Sequence, residues 1–251
     1  IFPVAWDDPL VSAEEAPLDE VDAVFLALPH GASIPAVQHA YEAGVKVVDL
    51  SADFRLRDPQ AYARWYKTAH TATDLLKAAV YGLPELYRDE IRQTRLVANP
   101  GCYPQTIILG LYPLVRCGLL SEDYAIADAK SGVSGAGRKA TLTTHFVEAH
   151  DNLSPYNIGH VHRHVPEMEQ ALSEVNGGPF TVTFSPHLLP TNQGILTTLY
   201  VRLNRPMTTD ELVAVFRDVY RDEPFVRVLA PGKLATLRHV VGTNWLVFSA
   251  T

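Results

Sequence analysis

VDAVFLALPHG (residues 21–31) is an apolar run stopped by Pro29 and Gly31, and it reads as a buried β-strand ending in a turn. SIPAVQHAYEAG (33–44) comes next, with Ile34, Val37, Ala40 and Tyr41 at helical spacing and Gly44 closing the run. KVVDLSADFR (46–55) is a second strand. Strand, helix and strand within about 35 residues make a βαβ unit, which predicts an α/β chain with a parallel, doubly wound sheet. Such sheets hold ligands beyond the carboxyl ends of their strands, and LPHG and LSADFR both lie at those ends.

RLVANPGCYPQTIILGLYPLVRCG (95–118) reads as a strand, a Pro-Gly turn and a helix beginning near Cys102. Beyond it the texture changes. DYAIADAKSGVSGAG (123–137), FTVTFSPHLLP (180–190) and GILTTLYVRLN (194–204) are strand-like. TDELVAVFRDVYRDE (209–223) is an amphipathic helix that Thr209 can cap, with Leu212, Val215, Phe216 and Val219 on one face. A second, α+β domain is therefore expected from about residue 102. No internal repeat or low-complexity tract interrupts the chain. No G-x-G-x-x-G precedes the first strand, and Gly31 is the first glycine; alone, that argues against a dinucleotide site.

Composition narrows the class of function. With 47% hydrophobic and 20% charged residues, 251 residues suffice to bury a core in one or two domains. A net charge of −7 disfavours nucleic acid as a partner. Only Cys102 and Cys117 occur, so no disulfide framework is indicated and a reducing compartment fits. No apolar run is long enough for a membrane span, and IFPVAWDDPL lacks the basic start and apolar core of a signal peptide. A cytoplasmic enzyme is the expectation.

Three stretches carry chemistry. In Asn99-Pro100-Gly101-Cys102-Tyr103-Pro104 the thiol falls at a helix start, where unpaired N–H groups and the positive dipole end favour a thiolate and could hold an oxyanion. The bland alternative is a small buried Cys packing at that helix start; Cys117, without such a setting, is read as structural. In His160-Val161-His162-Arg163-His164, alternation in an extended segment would turn His162 and His164 to one side and Arg163 away. A metal site using these with His145 and His150 is the rival, but no Cys cluster or carboxylate at a familiar spacing completes it. Ser131-Gly132-Val133-Ser134-Gly135-Ala136-Gly137-Arg138-Lys139 is a glycine-rich loop suited to an anion, or simply a turn; its spacing is not that of a P-loop. Arg55 and Arg57 are further anion candidates.

Together these stretches strongly resemble the N-acetyl-gamma-glutamyl-phosphate reductase family. The resemblance rests on VFLALPHG, VVDLSADFRLRD, YGLPELYRDEI, LVANPGCYPQT, SGVSGAGRKA, YNIGHVHRHVPEMEQ and LLPTNQGILTT, in family order from about residue 20 to residue 244. It implies an incomplete Rossmann-type sheet over 1–101, an α+β catalytic and dimerisation domain over 102–235 like that of semialdehyde and glyceraldehyde-phosphate dehydrogenases, and a return to the nucleotide-binding domain over 236–251. It implies NADPH as cofactor, an acyl phosphate as substrate, no metal, and a homodimer or homotetramer. Cys102 is then the nucleophile and His162 the acid/base. Asn99, His164, Arg55 and Arg138 would contact substrate; Leu28, Pro29, His30, Gly31, Ser51, Ser131 and Gly132 would contact cofactor. Family members also begin with a strand and a G-x-x-G-x-x-G turn, have additional residues between Asn244 and Trp245, and continue past Thr251, so residues absent from this chain are expected at those points. The related acyl-phosphate reductase of lysine biosynthesis and a non-catalytic domain of the same fold are the alternatives.

Overall fold

The computed structural model describes residues 11–251. The signal-peptide reading of IFPVAWDDPL lies outside them. The first unit contains β1 (Ala23–Leu26), α1 (Ser33–Glu42), β2 (Lys46–Asp49), α2 (Pro59–Tyr66), α3 (Thr73–Ala78), β3 (Val80–Tyr81), α4 (Pro84–Gln93) and β4 (Leu96–Ala98). Its four strands form one parallel sheet in the order β1-β2-β4-β3, with Ala23 opposite Lys46 and Val47 opposite Leu96. Ile34, Val37 and Ala40 of α1 pack with Val47, Leu76, Leu96 and Phe54 in a core of their own. The 3.6-residue spacing read in the sequence is what delivers them to that face. β1 pairs only with β2 among the described residues, and Phe25 on it is 73% exposed.

The second unit opens with α5 (Cys102–Arg116), followed by β5 (Tyr124–Gly132), α6 (Phe146–Ala149), β6 (Ser154–Pro155), α7 (Val165–Asn176), β7 (Thr181–Leu189), β8 (Ile195–Tyr200), α8 (Thr209–Val219), β9 (Val226–Val228) and β10 (Leu246–Phe248). Its sheet runs β6-β7-β5-β8, with β5 parallel to β7 and antiparallel to β6's counterpart on the other side, β8. Ala125, Ala127 and Ala129 alternate along β5 and are fully buried; such small side chains let helices lie close on the sheet. α5 lies close to β8, since a Cβ on Gly110 would stand 2.4 Å from Leu199. Ile107, Ile108, Leu111, Met168, Leu172 and Phe184 fill the core between, each burial stabilising by roughly 1.5–3 kcal/mol.

Two expectations change. Thr208, not Thr209, caps α8: its side chain accepts from the Glu211 N–H (3.2 Å) while Glu211 accepts from the Thr208 N–H (2.7 Å). Residues 236–251 do not rejoin the first sheet; β10 pairs in parallel with β9, and Phe248 stacks on Tyr220 at 5.5 Å. Among the described residues no helix is long and apolar enough to cross a membrane.

Candidate active site

The connection from β4 to α5 carries the cysteine. Asn99 anchors it, its N–H donating to the Asp49 carbonyl (2.8 Å) and its carbonyl accepting from Arg55 Nε (2.7 Å). Gly101 is the N-cap of α5 in extended backbone, so positive φ is not why it is glycine. Space is the reason: a Cβ there would lie 2.6 Å from His164 Nε2. The imidazole therefore rests directly on the turn that aims Cys102.

Solvent reaches the Cys102 sulfur, yet the surrounding mass is dense enough that burial pushes the thiol pKa up. Hydrogen bonding from the Tyr103 N–H pulls the other way and the Glu167 charge adds to the rise. The expectation that the helix start favours a resting thiolate is thus corrected: desolvation outweighs the N–H groups, and the thiol is protonated at neutral pH.

The histidine segment is not extended. Residues 158–164 pass through successive turns, His160 at φ +61°, before His164 caps α7. His162 and His164 are nonetheless both buried with rings 4.8 Å apart, and Arg163 is exposed. Arg163 is not remote, because its charge helps depress the pKa values of His30, His162 and His164. His162 sits against Tyr103 (5.9 Å), Tyr156 (5.7 Å) and Phe184 (5.1 Å). Burial lowers both His162 and His164 to about 3, so both are neutral at physiological pH. His162 Nδ1 accepts from the His164 N–H at 3.1 Å, which leaves the ring proton on Nε2. His164 Nδ1 is buried and has no hydrogen-bond partner among the described residues.

His160 stands apart, its Nε2 2.8 Å from Glu169. His150 pairs with Asp151 at 3.2 Å. Among the described residues no group of three or more His, Cys, Asp or Glu is placed to hold a metal.

Arg55 is buried rather than open to a ligand: beyond Asn99, it donates to the Leu50 carbonyl (2.9 Å) and Glu167 (3.2 Å). Arg138 lies on the exposed loop after β5. At the first strand ends, Leu28, Pro29 and His30 are exposed. The Gly31 N–H is already engaged by the Asp53 carboxylate (2.7 Å), and Ser51 Oγ by Asp49 (2.7 Å). Ser131 and Gly132 are buried at the end of β5, where a Cβ on Gly132 would strike the Asn192 carbonyl at 2.8 Å. The Leu28–His30 segment is thus open to a ligand, whereas the Gly31 N–H and Ser51 Oγ are already taken up within the protein.

The sequence reading assigns no role to Glu167 or Tyr156, although both fall within YNIGHVHRHVPEMEQ. Pro166-Glu167 looks like an ordinary acidic first helical turn, and nothing local signals that its carboxylate is wholly buried.

The chain matches the family models described as semialdehyde dehydrogenase, NAD binding domain, over residues 7–94, and semialdehyde dehydrogenase, dimerisation domain, over residues 102–251. Among curated proteins it is 49% identical to the N-acetyl-gamma-glutamyl-phosphate reductase of Pelotomaculum thermopropionicum, spanning 97% of this chain and 71% of that one. It is 50% identical to the protein of that name from Symbiobacterium thermophilum, spanning 94% and 68%. Among solved structures it resembles aspartate semialdehyde dehydrogenase II from Vibrio cholerae, with a TM-score of 0.68 at 17% identity over 93% of this chain and 70% of that one. Aspartate semialdehyde dehydrogenase with NADP from Candida albicans gives 0.60 at 17% identity, over 87% and 64%. At such identity these two likenesses speak to fold alone.

Proposed function

Because the chain belongs to the N-acetyl-gamma-glutamyl-phosphate reductase family, we propose that it reduces N-acetyl-gamma-glutamyl phosphate to N-acetylglutamate semialdehyde with NADPH, releasing phosphate, in cytoplasmic arginine biosynthesis. The observation that carries this reading is that both neighbours of Cys102 touch the histidine pair: Gly101 lies under His164, and the Tyr103 ring meets His162. A cysteine whose two flanking residues pack on a pair of neutral imidazoles suits acyl transfer.

Cys102 is the nucleophile. Its thiol loses a proton to the solvent that reaches it, and Sγ bonds to the acyl carbon. The carbon–oxygen bond to phosphate breaks, phosphate leaves, and a thioester remains. Leu28, Pro29, His30, Ser131 and Gly132 would hold NADPH, which when bound would supply the hydride. His162 donates an Nε2–H hydrogen bond to the acyl oxygen as negative charge develops there, and solvent returns to the departing Cys102 sulfur the proton that the thiol gave up. His164 and Asn99 line the substrate, and Arg138 supplies charge for its phosphate or carboxylate. The exposed Tyr124, Ile126 and Tyr200 on the outer face of the second sheet support assembly into a homodimer or homotetramer, as the dimerisation-domain match suggests.

The test is the reverse reaction of the full-length protein: N-acetylglutamate semialdehyde, phosphate and NADP should give NADPH, with no signal when phosphate is omitted. Absence of NADPH with all three present would remove this reading.

A further inference from the structure

Glu167, in the first turn of α7, is 0% exposed, an unusual place for a carboxylate. Its partners lie far away in the chain. Oε1 accepts from Arg55 Nη1 at 3.2 Å; Oε2 accepts from the Tyr81 hydroxyl and from the Gly101 N–H, both at 3.0 Å. His164 Nε2 lies 4.0 Å from Oε1. One side chain thus joins the loop after β2, the end of β3, the turn before the nucleophile and the helix that follows the histidine segment.

We propose that Glu167 is the positioning residue of the nucleophile: by gripping the Gly101 N–H from outside α5 while holding Arg55 and facing His164, it fixes where Cys102 points relative to the imidazoles. A charge-assisted bond to the residue immediately before Cys102 restrains the turn more tightly than a neutral one. A buried Arg–Glu pair is a poor device for stability, because desolvation offsets much of the attraction. Its use here is geometric. Glu167 does not touch the reacting carbon and is not a catalytic residue.

The proposal rests on Cys102 being the nucleophile of the reductase reading. Two measurements keep the failures separate: kcat and KM of the full-length protein, and the pH dependence of iodoacetamide alkylation at the Cys102 peptide, which needs no substrate. The ionisable groups around Glu167 are Arg55, Tyr66, Tyr81, Cys102, His162 and His164. Glu167→Gln keeps the shape and removes the charge. In folded variant, kcat should fall about tenfold or more with KM within about threefold, since alignment rather than binding is lost. The alkylation midpoint should move to lower pH, because a negative charge near the thiol is gone. Tyr81→Phe, a milder change that frees one bond at the same oxygen, should lower kcat about two- to fivefold at constant KM. A purely structural role would lower thermal stability while leaving kcat per folded molecule and the alkylation midpoint unchanged; that result, or unchanged kcat in Tyr81→Phe should Glu167→Gln not fold, overturns the proposal. Wild-type protein that alkylates normally but shows no turnover would defeat the substrate reading instead.

Discussion

At the scale of single residues, His162 is defined by which of its nitrogens carries the proton. The His164 N–H occupies Nδ1, so the neutral ring presents Nε2–H as a donor. His162→Ala should lower kcat by about 10² to 10⁴, and His162→Gln, which retains an N–H donor, should lose roughly tenfold less. Equal losses in steady-state assays would contradict the donor role. Of this site, Cys102 was legible because Pro-Gly before a helical pattern is a local signal. His162 and His164 were legible as a pair, but through the wrong geometry: turns, not an extended segment, bury them and leave Arg163 outside. Glu167 was not legible. Its significance lies in Arg55, Tyr81 and Gly101, which are 112, 86 and 66 residues away in the chain, and no spacing rule reaches so far.

At the scale of elements, α8 shows what sequence patterning settles and what it leaves open. The apolar face was readable in part: Phe216 is buried and Leu212 and Val219 pack against the core, but the other buried position is Val213 rather than Val215. The boundary moved by one residue because the Thr208–Glu211 reciprocal pair satisfies two terminal N–H groups together. Thr208→Ala should therefore destabilise by about 1 kcal/mol, read from urea unfolding, and leave activity intact. A loss as small as that of Thr209→Ala would put the cap back at Thr209. Strand β3 is only two residues long, and α2 and α3 are short helices that bury Tyr62 and Leu76 respectively, so their places in the first unit come from tertiary contacts rather than periodicity.

At the scale of the whole molecule, the βαβ pattern gives way to β-rich texture near residue 101. The pairing of β10 with β9 was not legible, because β10 is three residues long and its partner is set by packing on Phe216 and Tyr220. The buried histidines couple folding to pH. Above about pH 6.5 the rings of His162 and His164 are neutral in both native and unfolded chains; between there and about 3 the unfolded rings take up protons that the native ones refuse. Stability should fall on acidification through that window, by a few kcal/mol in all. The urea midpoint should drop between pH 7 and pH 5, and drop less in His162→Gln; an equal drop would deny His162 a share. The central claim is a covalent bond at Cys102. Full-length protein mixed with N-acetyl-gamma-glutamyl phosphate without NADPH, quenched in acid and digested, should show by mass spectrometry the acyl group on the peptide holding Cys102, with phosphate released in equal amount. A protein that turns over normally but carries no acyl group there, or carries it elsewhere, would contradict the account.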